Sequence, residues 1–464
     1  MITKLKSVFD NKSLALLGFG REGRSTYTLL RQVFPQKVLT IIDENEAIRE
    51  DSTLKNDTNL LFVTGENCMQ YIDNYDIAIK SPGIPSNTLP SALKQVIITS
   101  QTDIFLQCYG HQSIGITGTK GKSTTASLVY HILKNADFNA MLVGNIGIPP
   151  FECIADIKPE SIVVLELSSH QLEYVSHSPH IAVLLNIFQE HLDHYNSYLD
   201  YQLAKLNIGK YQGQSDYFIY NDDNEAVKSL IHTLNSTKHR ELPFSPEPQT
   251  SAAIHIANNE IILTLDDAVT KLYNTSLSQP LQGHHNLYNI MAAAAACYLS
   301  GVNFGSLESG IRSFKGLEHR IEQVGEYDGI IWYNDSIATI PEATIEAVKT
   351  LHNVDTLILG GFDRGIEYDI LYPFLNTSGI SNIIFIGGAG ERMMREFTAY
   401  GVKNITFYTA EDYAKVVSVA REFTAKGKIC LLSPAAASYD MFKNFEERGN
   451  IYKKNVRNLG PSHD

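Results

Sequence analysis

The stretch Ser113-Ile-Gly-Ile-Thr-Gly-Thr-Lys-Gly-Lys-Ser-Thr-Thr125 carries the strongest fold signal in this chain. A short apolar run ends at Thr117, glycines follow at Gly118 and Gly121, and an apolar helical pattern begins directly afterwards. A strand, a glycine-rich turn and a helix start form the context in which a phosphate-binding loop is expected. The glycines let backbone N–H groups turn toward an anion, and the helix adds its free N–H groups and positive dipole end.

In this loop we expect Lys122 to reach the β- and γ-phosphates of a nucleotide and the Ser123 hydroxyl to bind Mg²⁺. The spacing departs from the standard phosphate loop because Ile116 stands where the first glycine belongs. The alternative is a plain glycine turn with an exposed lysine, and the flanking strand and helix favour nucleotide binding over it. The predicted nucleotide contacts are Gly118, Thr119, Lys120, Gly121, Lys122, Ser123 and Thr124.

Length and composition limit the class of protein. A chain of 464 residues is too long for a single core, so several domains are expected. The net charge of −13 disfavours nucleic acid or an anionic membrane as the main partner. There is no apolar run of about 18 residues, so no membrane insertion is expected. Five scattered cysteines without a CxxC pair are typical of reduced thiols in a cytoplasmic protein.

Residues 13–43 predict a strand–helix–strand unit with a GxGxxG turn after its first strand. Asp43 ends the second strand, twenty residues beyond the last glycine, as in the dinucleotide-binding fingerprint. Two alternatives stay open: a similar domain that binds another nucleotide, and a turn that only packs tightly. The second nucleotide site so soon afterwards favours these alternatives. The glycines of the turn are Gly18, Gly20 and Gly23.

Two strands of the central segment end in polar residues that suit a metal site. The apolar run 161–166 ends at Glu166, and the strand predicted over 181–195 leads to His191. Because the carboxyl ends of parallel strands converge on the ligand crevice, we expect both side chains to meet the phosphate loop. A hard cation beside a triphosphate prefers carboxylate and hydroxyl oxygens. Either residue taken alone is ordinary surface more often than a ligand, and the two together favour the metal site.

A helix predicted over 198–211 places Lys205 on the face that follows the His191 turn. Farther along, Asn286 and Asn289 precede an alanine-rich helix and lie one helical turn apart, which suits an adenine or ribose edge. The alternative is that Asn286 only caps that helix.

The last segment contains three apolar strands that end in Gly or Ser-Pro turns and precede helices, which predicts another doubly wound α/β domain. No nucleophile–base pair is evident in the sequence, so covalent catalysis is not indicated. Polar residues at the predicted strand ends are Arg320, Asp335, Asp363, Arg364 and Ser438.

Several motifs together resemble those of the Mur ligases, and the match runs nearly from end to end of the chain. The set is far more specific than any one of its members. The matching stretches are Thr117-Gly-Thr-x-Gly-Lys-Ser, Leu-Glu166-Leu-Ser-Ser-x-Gln171-Leu, Asn186 with Glu-His191-x-Asp, Gly-x-His285-Asn-x-x-Asn289, His319-Arg320, Asn-Asp335-Ser, Ser433-Pro-Ala-x-Ala-Ser438 and Phe445-Glu-x-Arg-Gly.

The resemblance implies a three-domain α/β enzyme. A Rossmann-like N-terminal domain (1–102) would bind a UDP-sugar, a central P-loop mononucleotide-binding domain (103–315) ATP and Mg²⁺, and a Rossmann-like C-terminal domain (316–464) the amino acid. The implied activity is ATP-dependent addition of glutamate, with D-glutamate preferred, to UDP-N-acetylmuramoyl-L-alanine through an acyl phosphate, in peptidoglycan precursor synthesis. We expect a cytoplasmic monomer without nucleic acid.

The resemblance also implies roles for single residues. It implies UDP-sugar contacts at Gly18, Gly20, Gly23, Asp43, Ser81, Asn145 and Gln171. It implies metal ligands at Ser123, Glu166, His191 and Lys205, the lysine as a carbamate; with Lys122, the last three are the expected catalytic residues. It implies ATP contacts at Asn289, Arg320 and Asp335. It implies an amino-acid pocket with Thr339, Arg364, Ser438 and Phe445.

Two departures from the family pattern lie where the amino acid would bind. Ile337 stands where the family has a lysine, and Gly360-Gly361-Phe362-Asp363-Arg364 replaces the usual Gly-Gly-Asp-x-Lys. They leave the ligase reaction intact and leave open which enantiomer of glutamate is used. The alternatives are the L-glutamate-adding relative, a folylpolyglutamate-type ligase, and a nucleotide-binding regulatory protein. The UDP-type first domain disfavours the second, and Glu166 with His191 disfavours the third.

Overall fold

Three β-sheets organise the part of the chain described by the computed structural model, which covers residues 2–90, 93, 95–190, 194–233, 239–247, 252–277, 281 and 283–460. The chain divides into two compact units, Met1–Phe314 and Lys315–Asp464. The first unit contains two of the sheets, and the second unit contains the third. Among the described residues, no helix is long and apolar enough to span a bilayer.

The first sheet is parallel throughout, with strand order β3-β2-β1-β4-β5. Its inner strands are apolar and buried on both faces, as expected for a parallel sheet covered by helices. The order places β1 beside β4, so the turns after these strands share one edge of the sheet. The elements are α1 (Ile2–Phe9), β1 (Leu14–Leu17), α2 (Arg21–Val33), β2 (Leu39–Asp43), β3 (Leu60–Thr64), β4 (Ile77–Lys80), β5 (Ile97–Ser100) and α3 (Gln101–Tyr109).

The second sheet has strand order β14-β13-β12-β11-β10-β9-β6-β8-β7. Strand β6, which leads into the phosphate loop, lies between β9 and β8. Pairing is parallel from β7 to β12 and antiparallel from β12 to β14. The elements are β6 (Ser113–Thr117), α4 (Lys122–Asn135), β7 (Ala140–Gly144), β8 (Ile162–Glu166), α5 (Ser169–Leu172), β9 (Ile181–Leu184), α6 (Tyr198–Lys210), β10 (Tyr217–Asn221), α7 (Glu225–Ile231), β11 (Arg240–Phe244), β12 (Ile254–Ala257), β13 (Glu260–Leu265), β14 (Ala268–Asn274), α8 (His284–Leu299) and α9 (Phe304–Ser313).

Helix α8 is the alanine-rich helix, and residues 290–297 are completely buried. Its small side chains let it pack closely against α4, the helix that leaves the phosphate loop. Asn289, which directly precedes this buried run, is thereby placed beside the start of α4, where its side chain accepts a hydrogen bond from the Thr125 hydroxyl.

The sheet of the second unit has strand order β15-β16-β20-β17-β18-β19 and is parallel except for the β15–β16 pair. The elements are β15 (Glu322–Tyr327), β16 (Ile330–Asn334), α10 (Pro341–Leu351), β17 (Val354–Gly360), α11 (Leu371–Leu375), β18 (Asn382–Ile386), α12 (Gly387–Tyr400), β19 (Thr406–Ala410), α13 (Tyr413–Phe423), β20 (Ile429–Leu432) and α14 (Phe445–Arg457).

The predicted fold class, α/β with Rossmann-like sheets around a central P-loop sheet, is confirmed. The domain boundaries at 102/103 and 315/316 stay predictions. The strand predicted over 181–195 is wrong in its length: β9 ends at Leu184, because Asn186 turns away to bond the phosphate loop. The alternative that Asn286 only caps the alanine-rich helix does not hold, since α8 begins at His284 with Gly283 as its N-cap. Edge strands β15 and β19 were not predicted because they are half-exposed and lack an apolar run.

Candidate active site

The phosphate loop joins β6 to α4 and is shaped by one left-handed glycine. Gly121 caps α4 with φ +84°, a conformation that favours glycine, and a Cβ atom there would overlap Asn289 Oδ1. Asn186 braces the other side of the loop. Its side-chain oxygen accepts a hydrogen bond from Lys120 N (2.8 Å), its amide donates to Lys120 O (3.0 Å), and its carbonyl accepts from Thr119 N (2.8 Å). The loop is therefore held in place by Asn186, two residues after β9, and by Asn289 of α8.

Two lysines donate to the same carbonyl of this loop. Lys122 Nζ donates to Gly118 O and Thr119 O (both 2.9 Å), and Lys205 Nζ donates to Gly118 O (2.9 Å). Lys205 is 2% exposed, and its burial lowers its pKa well below the usual value; the nearby charge of Lys122 lowers it further. The buried position therefore favours the neutral form of the Lys205 amine, and this amine lies directly against the phosphate loop.

Glu166 is the last residue of β8 and pairs with Ile116 of the phosphate-loop strand. Its side chain is completely buried. Oε1 accepts a hydrogen bond from Asn145 Nδ2 (2.8 Å), whereas Oε2 has no hydrogen-bond partner within the described residues. A buried carboxylate oxygen without a partner is costly unless a cation or water completes it. The Glu166 carboxylate therefore fits the magnesium ligand predicted from the sequence.

The other predicted metal ligands are distributed as follows. Ser123 lies partly buried in the first turn of α4, and Lys205 contacts the same loop from α6. His191 lies outside the described residues. Its neighbour Glu190 forms an ion pair with Lys120 (2.6 Å). Across the described residues, no group of three or more His, Cys, Asp and Glu side chains could hold a metal by itself.

Asn289 links the loop helix to α8. Its Oδ1 accepts a hydrogen bond from the Thr125 hydroxyl (3.2 Å), and its Nδ2 donates to Asn286 Oδ1 (3.0 Å). The two amides therefore lie one helical turn apart and bond to each other, and their role at an adenine or ribose edge stays a prediction. Thr124 lies between Lys122 and Thr125 in the first turn of α4 and is partly buried.

The predicted UDP-sugar residues of the first sheet lie together at the edge shared by β1 and β4. The Ser81 hydroxyl donates to Gly18 O (3.0 Å), and Gly18 has φ +82°. Gly23 packs so closely that a Cβ atom would overlap Gly18 O. The Asp43 carboxylate accepts Phe19 N (2.7 Å) and Asn45 N (2.8 Å), so it fixes the turn. Gly20, by contrast, has open space around it.

Two contacts that the sequence did not predict join this turn to the second sheet. Arg21 donates to Gly147 O (2.6 Å), and Gln171 Nε2 donates to Glu22 Oε1 (2.6 Å). Gln171 is 2% exposed and also closes the capping box of α5 with Ser168, two residues after Glu166. Burial raises the pKa of Glu22. The only sequence feature that could have indicated these contacts is Glu22, an acidic residue inside a glycine turn that was expected to bind phosphate.

In the second unit, the Asp335 carboxylate, just after β16, is bonded to the turn that carries Arg320. Asp335 Oδ1 accepts Ile321 N (3.2 Å) and Oδ2 accepts the Ser433 hydroxyl (2.7 Å), and burial raises its pKa to about 7. Arg320 is exposed between two left-handed residues, His319 (φ +63°) and Ile321 (φ +46°). A β-branched residue rarely adopts this conformation, so the turn is strained and must be held by its surroundings.

The predicted amino-acid residues converge at one edge of the same unit. The Arg364 guanidinium donates to Thr339 O (3.0 Å), and Phe362 N donates to Ala437 O (2.9 Å), next to the buried Ser438. Phe445 begins α14, and its carbonyl accepts the Ser336 hydroxyl (2.8 Å). These contacts bring together the segments that carry Thr339, Arg364, Ser438 and Phe445.

Comparisons with known proteins give one consistent result. Residues 116–297 match the model of the Mur ligase middle domain. The UDP-N-acetylmuramoylalanine–D-glutamate ligase of Clostridioides difficile (strain 630) is 34% identical over 455 residues, which is 97% of this chain and 99% of the relative. The enzyme of the same name from Christiangramia forsetii is 36% identical over 389 residues, 83% of this chain and 86% of the relative.

Solved structures show the same fold at lower sequence identity. The MurF ligase of Thermotoga maritima in complex with ADP matches with a TM-score of 0.54 and 18% identity, over 96% of this chain and 95% of that one. The UDP-N-acetylmuramate–alanine ligase MurC of the same organism matches with a TM-score of 0.53 and 16% identity, over 97% and 100%.

Gly121→Ala should distort the phosphate loop. The new methyl group overlaps Asn289 Oδ1 and the residue must keep a left-handed φ, so we expect a loss of about 1–3 kcal/mol in unfolding free energy and weaker nucleotide binding. Urea unfolding and titration with a fluorescent ATP analogue measure the two effects.

The matched control is Gly305→Ala in the first turn of α9. There a Cβ atom meets only Asn303 Oδ1 at an ordinary 3.5 Å, so stability and nucleotide binding should be unchanged or slightly improved. Equal behaviour of the two variants would contradict the geometry assigned to Gly121.

Proposed function

This chain belongs to the Mur ligase family, and on that premise we propose that it is the ATP-dependent ligase that adds D-glutamate to UDP-N-acetylmuramoyl-L-alanine. The reaction forms an amide in a peptidoglycan precursor. The structural observation that carries the proposal is Glu166, a completely buried carboxylate beside a phosphate loop, one oxygen of which has no hydrogen-bond partner among the described residues. An ordinary structural carboxylate at that place would have both oxygens satisfied.

The chemistry explains why ATP is needed. A carboxylate does not react with an amine at neutral pH because oxide would have to leave. Transfer of the γ-phosphoryl group of ATP to a carboxylate oxygen gives an acyl phosphate and ADP. The amine of glutamate then attacks the acyl carbon, and the tetrahedral intermediate expels phosphate. No protein nucleophile is required; the protein must position the groups and stabilise charge.

The residues of the first unit supply these functions. Lys122 and the N-terminus of α4 stabilise the phosphate charge, and the loop N–H groups orient the chain of phosphates. Glu166, Ser123, His191 and Lys205 would hold Mg²⁺, and the bound ion would supply positive charge opposite the transferring phosphoryl group. Asn145 orients the Glu166 carboxylate through its hydrogen bond. Asn289, which lies on α8 and bonds to Thr125 of α4, contacts ATP in this assignment.

Lys205 is the residue whose chemistry must change to fit this role. A positive ammonium beside Lys122 would repel a cation, but a buried neutral amine can attack CO₂. The new N–C bond gives a carbamate and releases one proton. The carbamate carries a negative charge into the metal site, so it converts a repelling group into a ligand.

The amino-acid pocket is assigned to the second unit. Arg364 and Thr339 hold the side-chain carboxylate of glutamate, and Ser438 with Phe445 frame the rest. Since Ile337 is uncharged, Arg364 is the cation that motif position favours. The names of the similar enzymes and the Ser438–Phe445 pattern support the D enantiomer.

The remaining assignments rest on the motif match. The turn Gly18–Gly23 with Asp43, Ser81, Asn145 and Gln171 receives the UDP-sugar, and Arg320 with Asp335 contacts ATP. Gln171 and Asp335 would act largely through the protein bonds that they already make. We assign the enzyme to the cytoplasm as a monomer.

Lys122→Ala and Glu166→Ala should each abolish ligation in a folded protein. Loss of a charge-stabilising group of this kind typically costs on the order of 10²–10³ in rate. Coupled phosphate release with ATP, UDP-N-acetylmuramoyl-L-alanine and D-glutamate measures it. Lys349→Ala and Glu346→Ala, which break an exposed ion pair, are the matched controls and should keep full activity. Near-normal turnover of the Lys122 or Glu166 variant would refute the site.

Lys205→Ala should also be inactive, and short carboxylic acids such as acetate should partly restore activity by replacing the carbamate oxygens. Intact-protein mass spectrometry in bicarbonate buffer should show a gain of one CO₂ on the wild-type protein. Full activity together with an unmodified Lys205 would contradict the carbamate.

A further inference from the structure

A second arginine of the amino-acid edge, Arg392 on α12, makes a contact that no motif indicated. Its Nε donates to Asp363 Oδ2 (2.8 Å) and its Nη2 donates to Asp363 Oδ1 (2.9 Å). This is the bidentate geometry in which a guanidinium binds a carboxylate most firmly. The hydrogen bonds from Arg392 hold the pKa of Asp363 below its usual value.

Further contacts fix Arg392 itself. Nη1 donates to Glu396 Oε1 (3.0 Å), one turn along the same helix, and Nη2 donates to Ile366 O (2.8 Å). The guanidinium lies 4.7 Å from the ring centroid of the buried Tyr368. The loop from 362 to 368 is therefore fastened to α12 at three points: Asp363, Ile366 and Tyr368.

This arrangement determines the state of the neighbouring Arg364. Asp363 is its neighbour in the chain, yet both oxygens of that carboxylate accept hydrogen bonds from Arg392, and Oδ1 also accepts one from Gly365 N (2.9 Å), so the carboxylate is directed toward α12. Arg364 instead donates to Thr339 O and forms no ion pair with any described residue. It is exposed, so a free positive charge stands beside the backbone of Thr339.

We propose that Arg392 is a positioning residue for glutamate recognition: by occupying Asp363 and fastening its loop, it leaves Arg364 uncompensated and aimed at the Thr339 side of the pocket. The inference rests on the proposed function, in which Arg364 binds the side-chain carboxylate of the incoming amino acid. Because Ile337 brings no charge, one cation carries that recognition, and its orientation depends on Arg392.

The inference predicts a selective kinetic defect. Arg392→Gln should raise the KM for glutamate by about tenfold and leave the KM for ATP unchanged, since Asp363 is released to pair with Arg364. Arg392→Lys keeps one bond to Asp363 and should fall between the variant and the wild type. Arg421→Gln, which breaks an exposed Arg–Asp pair of the same unit, is the matched control and should not change either KM.

A double-mutant cycle with Arg364→Gln makes the test decisive. If Arg392 acts through Arg364, Arg392→Gln should change the glutamate KM less than about twofold in the Arg364→Gln background. If the two substitutions instead raise the glutamate KM independently, so that their fold-changes multiply in the double variant, the inference is wrong and the proposed function is unaffected. A normal glutamate KM in Arg364→Gln alone would instead refute the proposed role of Arg364.

A second variant protects the test from a folding failure. Asp363→Asn keeps the acceptor for Gly365 N but cannot pair with either arginine as a charge. It frees Arg364 from any competing acid, so the glutamate KM should rise less than in Arg392→Gln. A rise as large as that of Arg392→Gln, or an equal rise in the KM for ATP, would show that the loop contact is only structural and would overturn the inference.

Discussion

The carbonyl of Gly118 accepts hydrogen bonds from Lys122 and Lys205, and the proposed chemistry depends on this convergence of two lysines on one loop. Two ammonium groups so close would repel each other, and burial of Lys205 reduces that repulsion because it lowers the pKa of the amine. The neutral amine is the form that can become a carbamate. In the proposed function, Lys122 of this loop would meet the phosphates as a cation, and Lys205 would meet the metal as a carbamate.

The rest of the first unit supports this arrangement from two sides. Asn186, two residues after β9, and Asn289 of α8 brace the loop, while Asn145 orients Glu166 next to it. Arg21 and Glu22 then join the turn of the first sheet to Gly147 and Gln171, which follow the segments that carry Asn145 and Glu166.

Much of this could be predicted from the sequence where the signal is local. The strand–loop–helix around Lys122 and the strand end at Glu166 are short-range patterns, so fold class and loop position followed from them. Three other contacts join residues far apart in the chain, so no local sequence pattern predicts them. They are the hydrogen bonds of Asn186 to the phosphate loop, the Glu22–Gln171 hydrogen bond and the Asp363–Arg392 ion pair. The strand before His191 was predicted too long because its apolar run continues after the backbone has left the sheet. His191 itself lies outside the described residues.

We propose that this chain adds D-glutamate and that Arg364 is the cation that recognises it, since position 337 holds Ile337 and not a lysine. The most direct measurement offers D- and L-glutamate at equal concentration with ATP and UDP-N-acetylmuramoyl-L-alanine, and reads the stereochemistry of the product by chiral chromatography. We expect mainly the product that contains D-glutamate. Mainly the L-glutamate product would contradict it.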